Sequence, residues 1–278
     1  MDSLVTTTWL AEHLQDTNLR IVDIRGRVIP ADQPLPHYYA HREQYAESHI
    51  PGAVFVDWTK DIVDPASKSQ DIAHPAEFAA FMGQLGIDEN TVVIAYDDAG
   101  GMFAARLWWA LNYYGHPNVA VLDGSWQKWL AEGHPITPDV PTITPMTFTP
   151  RIQSAWRKTA ADIEGRADGV QLMDVRTVDE FTGKSSRASR KGHIPGALNL
   201  PRAALLATDN TLLPPDQLRL KFETAGIQRD APQIIVYCNG GVSASYGLLA
   251  LQKAGLDNAS VYDGSWKDWG NDPTKPIE

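Results

Sequence analysis

The chain of 278 residues is written twice. HIPGA at 49–53 returns at 193–197, and DGSW at 123–126 returns at 263–266. IVDIR at 21–25 has a counterpart in LMDVR at 172–176, and LGI at 85–87 in AGI at 225–227. The four blocks keep one order, about 140 residues apart. That period is too long for a solenoid repeat and fits a duplicated domain. Two copies of one architecture are therefore expected, over residues 1–137 and 152–278. Between them, PDVPTITPMTFTPR at 138–151 holds four prolines, which exclude a helix and predict an extended linker.

Within each half, short apolar runs alternate with helical patterns. In the second half ADIEGRADG predicts a helix, with Thr159 as its N-cap and a glycine stop. VQLMDVR and ALNLP follow as strands, then PPDQLRLKFETAGI as a helix. QIIVYC predicts a strand buried on both faces, because its β-branched residues run without alternation. SASYGLLALQKAGL is the next helix and ASVYDG the next strand. Alternating strands and helices make each half an α/β domain: a parallel sheet of about five strands with helices on both faces.

Cys238 is the only cysteine, and it stands at the end of the QIIVYC strand, before a glycine pair and a helix expected to begin near Ser243. In open α/β sheets ligands bind beyond the carboxyl ends of the strands. A helix N-terminus offers unpaired N–H groups and positive partial charge, which favour a thiolate, the reactive form of cysteine. Gly240 and Gly241 allow the positive φ angles that turn several amides inward. The loop of Asn239, Gly240, Gly241, Val242, Ser243 and Ala244 is thus a candidate anion cradle around a nucleophile. A lone cysteine is otherwise a small buried hydrophobe.

The duplication supplies a control. Aligning Tyr96 with Tyr237 places Asp97 at the cysteine position, and the first loop is one residue longer. A carboxylate is no sulfur nucleophile, so the first half is expected to be catalytically silent and the second catalytic. Asp174 and Arg176 recur as Asp23 and Arg25, and His193 as His49, so these are expected to be structural, the Asp and Arg residues bracing the loop or forming an ion pair. A net charge of -10 excludes general nucleic-acid binding. No apolar stretch approaches the roughly 18 residues of a membrane helix. No Cys/His cluster has zinc spacing. The N-terminus lacks the pattern of a secretory signal, and one cysteine forms no intramolecular disulfide, which together point to the cytoplasm.

Two repeats, each with D-x-R, HIPGA, a loop after a central strand and then DGSW, resemble the tandem-domain rhodanese sulfurtransferases over nearly the whole chain. CNGGVSA at 238–244 is similar to the C-x-x-G-V-[ST]-A loops of thiosulfate and 3-mercaptopyruvate sulfurtransferases. The resemblance implies two rhodanese-like domains. It also implies covalent catalysis: Cys238 takes sulfur from a small anionic donor as a persulfide and passes it to cyanide or a thiol, with no metal or organic cofactor. No oligomeric state follows from it.

The loop departs from both types. Thiosulfate enzymes carry basic residues after the cysteine, where this chain has Asn239 and Gly240. The mercaptopyruvate type has C-G-[ST]-G-V-T-A, whose hydroxyl position is Gly240 here, and an arginine in a G-R-F segment where this chain has Glu180. KSSRASRKGHIPGA brings Lys184, Arg187, Arg190 and Lys191 before the second HIPGA turn. The mercaptopyruvate type has a donor-binding arginine in this stretch, which implies Arg187 first and Arg190 second. It also has a histidine before a proline that assists the donor, matched by His74. Two rival readings remain. A cysteine phosphatase or arsenate reductase needs an arginine at the position of Ala244. A non-catalytic binding module needs an unreactive Cys238.

Overall fold

The structure, a computed structural model, describes residues 1–278. It contains two five-stranded, all-parallel sheets of identical topology. Across the first sheet the order is Leu4–Val5, Val119–Leu122, Val92–Tyr96, Leu19–Asp23, Val54–Phe55. Across the second it is Arg157–Lys158, Ala259–Tyr262, Ile234–Tyr237, Gln171–Asp174, Ala197–Asn199. The central strands are buried on both sides, as their β-branched runs predict. Ile234 and Val236 face one apolar cluster, while Ile235 and Tyr237 face another. Thr159 caps the helix Ala160–Glu164 in a reciprocal capping box with Asp162.

The recurring blocks become one cluster in each half. Arg25 pairs with Asp23 at 2.8 Å and lies over Trp126 of the first DGSW. Arg176 pairs with Asp174 at 2.6 Å and lies over Trp266 of the second. The strand-end tyrosines accept from the HIPGA turns, Tyr96 Oη from Ile50 N and Tyr237 Oη from Ile194 N, each at 3.2 Å. His49 and His193 bond to backbone carbonyls and stack on Tyr45 and Phe181. These residues recur because they hold each sheet to its turns, the structural role expected of them.

The halves do not carry separate cores on their facing sides. One apolar cluster of 48 buried residues runs through both, where the helices Met102–Tyr113 and Val242–Lys253 pack together. The aspartates of DGSW lock this joint. Asp263 accepts from Ile72 N at 3.1 Å and from Arg106 at 2.6 Å; Asp123 accepts from Leu212 N at 2.8 Å. Each aspartate thus receives a loop amide from the opposite half. Gly101 and Gly241 precede the two central helices with φ of 82° and 77°. A Cβ on Gly241 would stand 2.5 Å from the Arg106 guanidinium, so this position needs glycine for space as well as for backbone angle.

Residues 138–151 form no helix or strand and run along the first half, with Met146 N donating to Gly83 O and Arg151 N to Tyr114 O. One element has no counterpart in the second half: an antiparallel pair, Gly26–Val28 with Tyr38–Ala40. It reaches from the first half toward the Cys238 loop, and Val28 and Tyr38 line the same cavity as the cysteine.

Candidate active site

Cys238 directly follows the strand Ile234–Tyr237 and precedes the helix Val242–Lys253, which starts one residue before the expected Ser243. The residue is only 4% exposed. One side of it belongs to the large apolar cluster; the other lines a cavity of about 220 Å³ between the halves.

The equivalent loop of the first half shows what this turn binds. Asp97 is fully buried, and its carboxylate accepts from the amides of Ala99 (2.9 Å), Gly101 (2.8 Å), Phe103 (2.7 Å) and Ala104 (3.1 Å). Ser125 Oγ adds a fifth donor at 3.2 Å. Burial raises the pKa of this carboxyl, with the amides opposing the shift and the neighbouring Asp98 adding to it; every hydrogen bond to its oxygens comes from a donor. In the second half Ser243 and Ala244 stand where Phe103 and Ala104 stand, and their amides donate to nothing. The amides of Asn239, Gly240 and Val242 are likewise without an acceptor. Gly241 differs from expectation: its amide is already bonded to Ser265 Oγ at 3.1 Å, as is the amide of Cys238. The loop after the cysteine therefore carries amides without acceptors where its twin gives four amides to a carboxylate.

Of the loop residues, Asn239, Gly240, Val242 and Ser243 line the cavity, while Gly241 and Ala244 do not. Asn239 Nδ2 is held by Glu180 Oε1 at 2.8 Å, and its Oδ1 is buried without a donor. Gly240 leaves no room for the hydroxyl of the mercaptopyruvate loop, since a Cβ there would lie 2.7 Å from Ser69 O.

The arginines separate. Arg187 lines the cavity, its Nη2 donating to Ile29 O at 2.7 Å and its Nε standing 3.5 Å from Glu180. Arg190, the second choice, does not line the cavity. Its guanidinium bonds to the carbonyls of Trp269, Gly270, Asp272 and Lys275, so it braces the C-terminal segment. The four charges are adjacent in sequence, but only Arg187 lines the cavity. Lys184 pairs with Asp179 on the surface. His74 is exposed and 3.4 Å from Asp64, outside the lining of the cavity.

Several lining residues escaped the sequence reading. Arg202 stands at the wall and donates to Gly100 O of the first half at 3.0 Å. Trp58, its positional equivalent after the first HIPGA, lines the same cavity, as does Gln70. Beside them Lys267 bonds to Gln70 Oε1 at 2.7 Å and lies 4.1 Å over the Tyr38 ring. Burial lowers its pKa to about 8, with the nearby Arg187 charge adding to the effect. A signal was available: at one position where the repeats differ, Trp58 and Arg202 both line the cavity, and at another the second half has Lys267 beside it where the first has Gln127.

Two copies of one α/β fold, with a cysteine in one anion-binding loop and a carboxylate in the other, define a tandem-domain protein with a single cysteine-centred site. A family model described as "Rhodanese-like domain" matches residues 6–132 and 159–272, and the chain belongs to the rhodanese family. It is 33% identical to bovine thiosulfate sulfurtransferase over 96% of this chain and 91% of that one. It is also 33% identical to a probable 3-mercaptopyruvate sulfurtransferase of Pseudomonas aeruginosa, over 99% and 97%, and to the sulfur carrier protein TtuD of Thermus thermophilus, over 99% and 95%. Among solved structures, SseA of Escherichia coli, described as a 3-mercaptopyruvate sulfotransferase, superposes with a TM-score of 0.84 at 30% identity, covering 96% of this chain and 99% of that one.

Proposed function

We propose that the chain is a sulfurtransferase whose second half, residues 152–278, performs the chemistry while the first, residues 1–137, supplies one wall of the site. The Cys238 thiolate attacks the transferable sulfur of the donor. With 3-mercaptopyruvate an S–S bond forms as the C–S bond breaks, and the electron pair leaves on carbon as the enolate of pyruvate, which then takes a proton. With thiosulfate the pair leaves on sulfite. Either route leaves a persulfide on Cys238 whose terminal sulfur is anionic. The amides of Asn239, Gly240, Val242, Ser243 and Ala244 stabilise that charge, as oxyanion donors do for oxygen. Cyanide or a thiolate then attacks the outer sulfur and restores the thiolate.

The single observation behind this reading is the pair of loops: two of the amides that hold the Asp97 carboxylate, those of Phe103 and Ala104, have equivalents in Ser243 and Ala244 of the Cys238 loop that bond to nothing. The cavity walls favour a carbon-containing donor. Val28, Trp58, Met102, Val175, Pro201 and Ala203 line it, and the buried Glu180 opposes a dianion. The donor is therefore 3-mercaptopyruvate, with thiosulfate a poorer substrate. The setting is the cytoplasm, where a lone thiol stays reduced, and no helix is long and apolar enough to cross a membrane. Steady-state rates with each donor at fixed cyanide test the reading. Ping-pong kinetics with a larger kcat/KM for 3-mercaptopyruvate support it; a larger value for thiosulfate reverses the donor, and no turnover by either rejects the enzyme.

A further inference from the structure

The hairpin Gly26–Val28 with Tyr38–Ala40 is the one element that the second half does not repeat. Duplicated scaffolds diverge where function demands it, and this hairpin points into the Cys238 cavity. It touches the site twice. Ile29, one residue past its first strand, holds Arg187 Nη2 through its carbonyl at 2.7 Å. Tyr38, at the start of its second strand, forms part of the wall.

The environment fixes the Tyr38 ring and leaves its hydroxyl unused. Trp58 meets the ring edge-on at 5.7 Å and 89°, and Lys267 Nζ sits 4.1 Å from its centroid. The hydroxyl is buried and makes no well-formed hydrogen bond, and the Arg187 guanidinium stands beside it, so the two groups converge on one spot. Arg187 Nη1 is in the same condition, on a side chain only 10% exposed. The other two nitrogens of that guanidinium are turned to Ile29 and Glu180. Buried donors without acceptors are costly, at about 1–3 kcal/mol each, and usually mark a ligand or an ordered water. Burial pushes the Tyr38 hydroxyl up to about 12, so it keeps its proton and remains a donor near neutral pH.

We propose that Tyr38 is a substrate-binding residue supplied by the silent half: its hydroxyl and Arg187 Nη1 receive the carboxylate of a 2-oxo-acid thiol donor. This inference rests on the sulfurtransferase reading and gives the first half a direct part in donor selection. A planar carboxylate offers two oxygens to two donors, one neutral and one charged, and its attachment there turns the sulfur-bearing carbon toward Cys238. Lys267, beneath the ring, holds the phenol in place and adds positive potential to the same wall. An anchor that binds substrate and transition state alike is expected to act on KM more than on kcat.

The test uses Tyr38→Phe, which keeps the ring and its contacts and removes one hydroxyl. Kinetics are measured with 3-mercaptopyruvate and with the neutral thiol 1-mercaptopropan-2-one, which lacks the carboxylate. Binding of pyruvate is measured separately by calorimetry, because it needs no sulfur chemistry. The expected result is a KM for 3-mercaptopyruvate and a Kd for pyruvate both raised by roughly 10- to 100-fold, with kcat little changed and the neutral thiol unaffected. An unchanged pyruvate Kd, or an equal loss with the neutral thiol, overturns the assignment. Tyr38-dependent pyruvate binding in a protein that transfers no sulfur would leave the anchor standing and reject the sulfurtransferase.

Discussion

Asn239, the residue after the cysteine, donates through Nδ2 to Glu180 Oε1 at 2.8 Å. The two residues occupy positions where the family's loop patterns carry groups that help to bind an anion, and here they bond to one another. Glu180 also closes the capping box of the short helix Val178–Phe181 through Thr177. The pair therefore ties the cysteine loop to the wall that carries Arg187 and places a carboxylate inside the cavity.

Replacing Glu180 by Gln keeps an acceptor for Asn239 and removes that charge. We expect the KM for thiosulfate to fall several-fold and that for 3-mercaptopyruvate to fall less, since repulsion scales with donor charge. Donor kinetics of the purified variant check this; equal changes for both donors would count against a charge effect.

Arg187→Ala removes the charged partner of the donor. A KM for the preferred donor higher by a factor equivalent to about 1.5–3 kcal/mol is expected, with the persulfide still forming at saturating donor. Arg190→Ala should leave KM unchanged and lower the melting temperature, because its bonds go to the C-terminal carbonyls.

Lys267 is charged below its lowered pKa of about 8 and neutral above it. Gln70, Tyr38, Arg187 and the Cys238 thiol are the groups that face it or act on its charge. Positive potential at the cavity wall therefore declines as pH rises through that value, and KM for an anionic donor should rise over the same interval. Lys267→Arg, charged throughout, should remove that rise; a rise that persists in the variant belongs to another group.

Asp97 is the anion of the first loop, and four amides depend on it. Asp97→Ala strands them in a buried site and should cost about 3 kcal/mol or more in urea unfolding. Asp97→Asn, which keeps an acceptor oxygen, should cost less. Neither substitution is expected to abolish sulfur loading of Cys238.

Much of the fold was legible because duplication writes each constraint twice. HIPGA, D-x-R and DGSW could be read as scaffold from their recurrence, and the α/β pattern followed from apolar runs such as QIIVYC. The Cys238 loop was legible from its glycines and its place at a strand end. What could not be read was reach across the joint. Tyr38, Trp58 and Gln70 lie more than a hundred residues from the cysteine, and nothing local marks them. Arg190 misled for the converse reason: neighbours in sequence shared a charge but not a direction. The shared apolar cluster between the halves was equally hidden, because helix periodicity does not say which helix a face will meet.

The central claim is that Cys238 becomes a persulfide in a loop that carries free amides. Intact-protein mass spectrometry after brief exposure to 3-mercaptopyruvate or thiosulfate, without an acceptor, tests it most directly. The account predicts a gain of one sulfur atom per chain, lost on adding cyanide and absent in Cys238→Ser. An unmodified chain with both donors, or the same gain in Cys238→Ser, would contradict it.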